Sequence, residues 1–275
     1  ADSASVLLDS IQAPDELTDK DFAHWCMLCG KVTDEAATGL LPIYQWQRAQ
    51  QWFTEHGTAE EQAQIDLYLG RAYVEDGEYD KAMQIYADAL QLAKEHQAYN
   101  VAGYICAYMA DLYGFRDITS ECLKKREEAC EFFKKAENYK SYAYSLKDLA
   151  GEWAILDSFA CTIPLLQKAD SISQLLHNKN LTAAIANAFA LIYEMQGKYN
   201  EAETAYLKAI STRSEESYKD SIGLLKVYIK NNKLGKAYEL IKAITVHNDI
   251  AYSFNQAYYL LYKAEGKYKE ALHYK

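Results

Sequence analysis

Residues Ala63–Leu90, AQIDLYLGRAYVEDGEYDKAMQIYADAL, are predicted to form two amphipathic helices joined by a tight turn. Apolar and small side chains recur three or four residues apart on each side of the break, which places them on one face of each helix. Gly77 can adopt the positive φ that ends a helix over one residue, so the chain can reverse direction there. A single hairpin of this size cannot bury its apolar face alone, so a stable fold requires the pattern to recur.

The pattern recurs at a fixed period along most of the chain. Steps of 40 residues from Gly70, back to residue 30 and forward to residue 190, reach only small residues, and forward steps from Tyr73 to residue 193 reach only large aromatic ones. The small residues are Gly30, Gly70, Ala110, Ala150 and Ala190, and the aromatic ones are Tyr73, Tyr113, Trp153 and Tyr193. Towards the C-terminal end the spacing shortens to 35 and then 34 residues, at Tyr228 and Tyr262. A period of this size indicates a helical solenoid.

These residues resemble the tetratricopeptide-repeat family, which combines small residues at three positions with large aromatic ones around a glycine-containing turn. The resemblance is carried by Gly70, Ala82 and Ala89 with Tyr73, Gly77, Tyr79 and Tyr86, and again by Ala190, Ala202 and Ala209 with Tyr193, Gly197, Tyr199 and Tyr206. About 34 residues is the usual period of that family. The 40-residue units resemble a longer-helix variant found in regulatory and sensor arrays. The resemblance implies an all-α fold, a right-handed superhelical α-solenoid of about seven helix pairs with an N-terminal capping helix.

We expect one continuous solenoid over residues 1–275. Residues 1–17 should form the cap, 18–215 five repeats of about 40 residues, and 216–275 two repeats of about 34 residues, the last one truncated. The sequence starts without methionine and stops inside the expected last helix, which suggests an excised or processed fragment. The compartment is therefore left open: extracytoplasmic or membrane-anchored if a signal peptide precedes Ala1, and cytoplasmic otherwise.

Composition and motifs argue against several classes of protein. A formal net charge of −10 argues against direct nucleic-acid binding, and no stretch approaches the ~20 apolar residues of a membrane span. Cys26 and Cys29 form a CxxC pair, but Cys29 falls in register with a buried position and no second ligand pair accompanies it, which favours core thiols. Motifs of nucleotide-binding, metal-dependent and nucleophilic enzymes are absent. We therefore predict no enzymatic activity, no cofactor and no metal site.

Binding is the expected use of such an array. In the family that the sequence resembles, ligand-facing residues lie on the first helix of each pair, opposite the packing stripe. The predicted groove residues are Gln64, Leu67, Arg71, Tyr104, Asp111, Tyr144, Lys147, Asn187, Leu191 and Glu194. Tyr104 and Tyr144 are in register and are equally compatible with ligand contact and with packing against a neighbouring helix. Some members of that family bind a C-terminal carboxylate through Lys, Asn and Arg side chains on consecutive first helices. This sequence does not match that pattern, because the acidic Asp111 lies between Arg71 and Lys147.

The sequence thus predicts a protein- or peptide-binding scaffold, the sensing or interaction part of a larger bacterial-type regulatory protein. One alternative is a self-assembling module, with exposed Tyr258 and Tyr259 forming a homo-oligomer contact. Another alternative is a receptor domain for a small ligand or peptide, which requires a closed pocket. The divergent third and fourth repeats, with Arg126, Trp153 and Pro164, are where we expect the contacts that select a partner.

Overall fold

The computed structural model describes residues 2–36, 39–214, 218–243 and 251–275, and the regular structure in these parts is entirely helical. The helices up to residue 155 are α1 (Asp2–Asp9), a 3-10 turn (Pro14–Glu16), α2 (Asp19–Ala36), α3 (Ile43–His56), α4 (Ala59–Glu75), α5 (Tyr79–Glu95), α6 (Tyr99–Phe115), α7 (Thr119–Lys135) and α8 (Tyr139–Ile155). The remaining helices are α9 (Phe159–Leu175), α10 (Lys179–Met195), α11 (Tyr199–Thr212), α12 (Tyr218–Lys230), α13 (Leu234–Ala243), α14 (Ala251–Ala264) and α15 (Tyr268–His273). The predicted all-α solenoid class is confirmed.

The N-terminal end follows the expected order of cap and first helix pair. Helix α1 contacts α2, and Leu8 packs against the core that α2, α3 and α4 share. Thr18 caps α2, because its Oγ1 accepts a hydrogen bond of 3.2 Å from the backbone N–H of Asp21. Helix α1, through Leu8, thus covers one end of the apolar core of the first helix pair.

The turns between helices repeat one hydrogen-bonded motif. After α4, the N–H of Glu78 donates to the carbonyl of Tyr73 over 2.8 Å, and the N–H of Gly77 donates to Val74 over 3.1 Å. These two bonds form a Schellman motif, which needs a residue of positive φ just past the helix. The residues in that position are Gly77, Gln97, Asp117, Glu137, Asp157, His177, Gly197, Asn232 and Gly266. From 77 to 197 they are spaced 20 residues apart, so one helix plus one turn is the shortest repeating unit there.

The chain divides into two compact units, Ala1–Ser145 and Leu146–Lys275, with the boundary inside α8. Within each unit the first helices of neighbouring pairs contact one another, as α4 does with α6 and α10 does with α12. The predicted small positions allow this approach, since Ala110 in the first unit and Ala190 in the second are fully buried. The single continuous array over residues 1–275 remains a prediction.

The cysteines and the C-terminal tyrosines differ in part from expectation. Cys26 is buried and Cys29 half-buried, and none of the six cysteines forms a disulfide, but Cys161 is exposed. Tyr258 and Tyr259 are half-buried, so the expectation that they are exposed is wrong. The ring of Tyr258 stacks on that of Tyr274, with 4.9 Å between their centres, because the short last helix folds back onto α14.

Candidate functional site

Six of the ten predicted groove residues lie in the first unit, and Leu67 is not on its surface. Its side chain is 1% exposed, so the prediction that it faces a groove is wrong. Helix α4 contacts α3, α5 and α6, and these neighbours bury a wider stripe than a spacing of three or four residues suggests. Gln64 on the same helix is half-buried.

Tyr104 packs against neighbouring helices, which is the second of the two alternatives considered for it. Its hydroxyl shares a hydrogen bond of 2.8 Å with the hydroxyl of Ser141 in α8. Its ring meets the ring of Phe133 edge to face, with 4.8 Å between their centres. Tyr144, one repeat later, is half-buried.

In the second unit, three of the four predicted residues take part in intramolecular bonds. Asn187 donates a hydrogen bond of 2.5 Å to the buried carboxylate of Asp220. Lys147 pairs with Asp148, and Glu194 accepts from Lys230 over 2.7 Å. Leu191 is exposed. The bonds of Asn187 and Glu194 join α10 to α12, whereas Lys147 and Asp148 are neighbours within α8.

The structure brings Arg71 and Asp111 together at a cavity where α4, α5 and α6 meet. The cavity has a volume of about 340 Å³. It is lined by Leu40, Arg71, Val74, Glu75, Tyr79, Tyr86, Tyr108, Asp111, Leu112 and Phe115. Ligand pockets in proteins span about 300–1,000 Å³, so this one has room for a large side chain or a small molecule.

The charged end of the cavity is held in place by aromatic and ionic contacts. The guanidinium carbon of Arg71 lies 4.8 Å from the ring centre of Tyr108, a distance at which a cation and an aromatic face attract. Asp111 accepts a hydrogen bond of 2.5 Å from Arg126 of α7. Arg126 therefore lies behind the cavity wall, where its charge offsets that of Asp111.

Tyr86 is a fully buried residue among those that line the cavity. Its side chain is fully buried, and its hydroxyl makes no hydrogen bond to any residue that the structure describes. Burial raises the pKa of this hydroxyl well above its ordinary value, and the nearby Tyr108 and Asp111 add to the rise while Arg71 opposes it. The hydroxyl is therefore neutral and can both donate and accept a hydrogen bond.

The mouth of the cavity is aromatic. The rings of Tyr79 and Phe115 lie 5.4 Å apart, and Phe115 is 72% exposed. Asp80 and Arg116, the next residue after each of them, form an ion pair of 2.6 Å that joins α5 to the end of α6. The site thus combines exposed aromatic side chains with the charged side chains of Arg71 and Asp111.

Sequence reasoning found two of these residues and missed the others. Tyr79 and Tyr86 belong to the repeat pattern, which predicts packing between helices for them. Their positions are indeed largely buried, yet both also line the cavity.

Two parts of the chain match models of the tetratricopeptide repeat, residues 69–97 and residues 182–216. No curated protein is significantly similar to the sequence. Several solved structures have the same fold at low sequence identity, and three of them are compared with this chain below.

The first of these structures is a Rap protein complexed with competence and sporulation factor, at 15% identity and a TM-score of 0.69, over 98% of this chain and 77% of that one. A tetratricopeptide repeat protein from Parabacteroides merdae matches at 14% identity and a TM-score of 0.62, over 92% and 91%.

The third structure is a signal transduction ATPase with numerous domains from Pyrococcus horikoshii, which has a tetratricopeptide repeat sensor. It matches at 15% identity and a TM-score of 0.71, over 92% of this chain and 43% of that one. The chain therefore contains tetratricopeptide repeats at residues 69–97 and 182–216, within an array of helix pairs that shares the fold of these solved structures.

Proposed function

We propose that this protein-interaction scaffold binds a peptide segment of its partner at the cavity of the first unit. We further propose that it acts as the sensing part of a larger regulatory protein, by binding and without catalysis. The observation that carries the proposal is the cavity itself, in which the exposed ring of Phe115 lies with the charged side chains of Arg71 and Asp111 among the lining residues. Apolar walls with a few converging polar groups are typical of sites that bind a specific ligand.

The contacts at the mouth favour a peptide over a flat protein surface. Phe115 projects from the end of α6 and can cover an inserted side chain together with Tyr79. Aromatic side chains give large contact area at a low cost in conformational entropy, which is why they dominate the energetics of peptide and protein interfaces.

The structural neighbours support the same role. One is a Rap protein whose solved complex contains competence and sporulation factor, and another contains a tetratricopeptide repeat sensor. These properties belong to those proteins. The proposal of a sensing role for the present chain is supported because one of those proteins has a sensor built of the same repeats.

The test is a selection of peptides from a random displayed library against the whole chain, followed by titration of the tightest peptide. Phe115→Asp should weaken binding by about tenfold or more, because it places a charge in the apolar mouth. Ile155→Asp is the matched control. Ile155 holds the same repeat position one period later and is 70% exposed, but it does not line the cavity. It should leave the dissociation constant unchanged. Failure to select any peptide, or equal losses in both variants, would overturn the proposal.

A small-molecule receptor is the second candidate, and the cavity volume favours it. At about 340 Å³ the cavity is at the lower end of the range of small-ligand sites. A thermal-shift screen of metabolites, repeated with Phe115→Asp, separates this candidate from the first. Stabilisation by a metabolite that the variant loses, with no peptide selected, would favour it.

A further inference from the structure

The cavity of the first unit lies where two helices end. Glu75 is the last residue of α4 and Phe115 the last residue of α6, and both line the cavity. The C-terminal end of a helix carries partial negative charge, because its peptide dipoles are aligned along the axis. Neither α4 nor α6 has a basic residue in its last turn to offset this charge. The two helix ends therefore favour a cation beside the cavity over an anion.

Exposed carboxylates at the same edge of the unit add to this negative charge. Glu75, Asp76 and Asp117 are exposed, and none of them forms an ion pair with a residue that the structure describes. Glu75 lines the cavity, Asp76 follows it in the chain, and Asp117 lies two residues after Phe115. Carboxylates of this kind are accessible to a partner and do not first have to leave another cation.

The basic side chains of this edge already have partners. The ion pairs are Arg116 with Asp80 at 2.6 Å, Lys81 with Glu78 at 3.4 Å and Arg126 with Asp111 at 2.5 Å. The guanidinium of Arg71 lies over the ring of Tyr108. Residues 71–81 and 111–117, with Arg126, carry six acidic and four basic side chains, a net charge of −2. The edge therefore keeps an excess of negative charge after its own cations are counted.

The first unit as a whole has the same sign of charge. Residues 1–145 contain 25 acidic and 13 basic side chains, a net charge of −12, whereas residues 146–275 contain 14 acidic and 16 basic ones, a net charge of +2. A surface of one sign raises the local concentration of partners of the opposite sign and speeds their association. The acidic balance of the chain is thus concentrated in the unit that holds the cavity.

We propose that the partner segment is a basic peptide, in which an apolar side chain enters the cavity and Lys or Arg residues next to it face Glu75 and Asp76. The basic residues lie outside the cavity, because Arg71 lines it and would repel a second cation there. The apolar side chain packs against Leu112 and Phe115, which also line it. This inference rests on the proposed function, since it names the chemistry of the peptide that the cavity binds.

The experiment uses peptides selected against the whole chain from a library without charge bias. The anchor is the peptide position whose alanine substitution costs affinity for the wild type and nothing further for Phe115→Ala, a variant that adds no charge. The tightest peptides should carry Lys or Arg close to the anchor in sequence. Replacing these residues with Gln should weaken binding to the wild type about three- to tenfold.

Glu75→Gln combined with Asp76→Asn should weaken binding of the basic peptide about three- to tenfold, and should change the affinity of its Gln-substituted form by less than about twofold. Glu127→Gln combined with Glu131→Gln is the matched control. It removes the same charge from exposed positions of the first unit that do not line the cavity. This control should weaken binding of the basic peptide by less than about twofold.

Reversal of the charges gives a second test. In Glu75→Lys combined with Asp76→Lys, the peptide with Glu in place of its basic residues should bind more tightly than it binds the wild type. Raising the NaCl concentration from about 0.05 M to about 0.5 M should remove most of the preference of the wild type for the basic peptide over its Gln-substituted form.

Selected peptides that are neutral or acidic around the anchor would overturn the inference. Equal losses in the Glu75 and Glu127 double variants would also overturn it, because the overall charge of the unit would then account for the preference. These outcomes leave the proposed function standing, since a peptide still binds at the cavity. Failure of the proposed function is distinct, because no peptide would then depend on Phe115.

Discussion

The ring of Tyr86 lies directly against the backbone of Gly70. A β-carbon at residue 70 would lie within 3.0 Å of the Cδ1, Cε1 and Cζ atoms of that ring. Because Gly70 belongs to α4 and Tyr86 to α5, this contact sets the separation of the two helices. It also fixes the position of Tyr86 among the residues that line the cavity.

Gly70→Ala should therefore destabilise the first unit. A methyl group at this position forces the ring or the helices apart, and overpacking of this kind typically costs about 1–3 kcal/mol. The measurement is the free energy of unfolding from urea denaturation. Gly151→Ala in α8 is the control, since no atom lies within 4 Å of the added carbon. It should stabilise by about 0.5–1 kcal/mol, the helix preference of alanine over glycine. Equal stability of Gly70→Ala and the wild type would contradict the packing described.

Glu137→Gly should stabilise the protein. Glu137 has a φ of 54° in the turn between α7 and α8, a conformation that glycine adopts without the strain of a β-carbon. The expected gain is up to about 1 kcal/mol, after subtraction of the entropy that glycine loses on folding. Gly77→Ala makes the reverse change at the same turn position, where φ is 80°, and should cost about 1 kcal/mol or more. A loss of stability in Glu137→Gly would show that the Glu137 side chain stabilises the fold by more than its positive φ costs.

Stability should fall as the pH rises through the titration of Asp66. Burial raises the pKa of this carboxyl to about 6, the nearby Asp88 adds to the rise, and a 2.6 Å hydrogen bond from Gln50 opposes it. In the unfolded chain its pKa is about 3.9. The folded state therefore binds the proton more tightly, and the stability present below about pH 4 is lost as the pH rises to about 6 and beyond.

Asp66→Asn removes the buried charge and keeps the shape, so it should raise the melting temperature at neutral pH. The gain should shrink towards about pH 4, where the wild-type carboxyl is protonated. Melting temperatures of both proteins across this range are the measurement. A gain that does not change with pH would mean that the effect of the substitution is unrelated to ionisation.

Asp220→Ala should destabilise the second unit strongly. The carboxylate is buried and accepts hydrogen bonds from Asn187 and, over 2.9 Å, from the Nε of Arg213. Removing one partner from a buried ion pair costs about 3–5 kcal/mol. Asn187→Ala should cost about 1 kcal/mol, the size of one hydrogen bond, and leave peptide binding unchanged. A loss of peptide affinity in Asn187→Ala, with stability preserved, would mean that Asn187 contacts the peptide, as the sequence predicts.

The fold was predictable because the same pattern of small and aromatic residues recurs in successive repeats. Small residues such as Ala110 and Ala190 recur where helices touch, and seven consecutive helix pairs in the described parts of the chain follow from that register. The turns were harder to predict. Gln97 and Glu137 adopt positive φ although neither residue type favours it, because the Schellman hydrogen bonds stabilise the turn.

The groove was predicted poorly for two physical reasons. Periodicity shows that one face of a helix is apolar, but it does not show how many neighbours cover the others, and Leu67 is buried for that reason. Bonds between residues far apart in sequence, such as Asn187 with Asp220, also leave no periodic signal. Val74 stands where the fifth repeat has Glu194, and the meaning of that difference is visible only once the hydrogen bond from Tyr206 to Glu194 is known.

The most direct test of the central claim is the site at which the selected peptide crosslinks. A photoreactive phenylalanine analogue is placed next to the position of the selected peptide whose alanine substitution costs most affinity. Mass spectrometry of the digested adduct then identifies the residues beside it. We predict adducts on residues of the cavity, between 71 and 86 and between 108 and 115, that disappear in Phe115→Asp. Adducts confined to Leu146–Lys275, with the first unit unlabelled, would contradict the account.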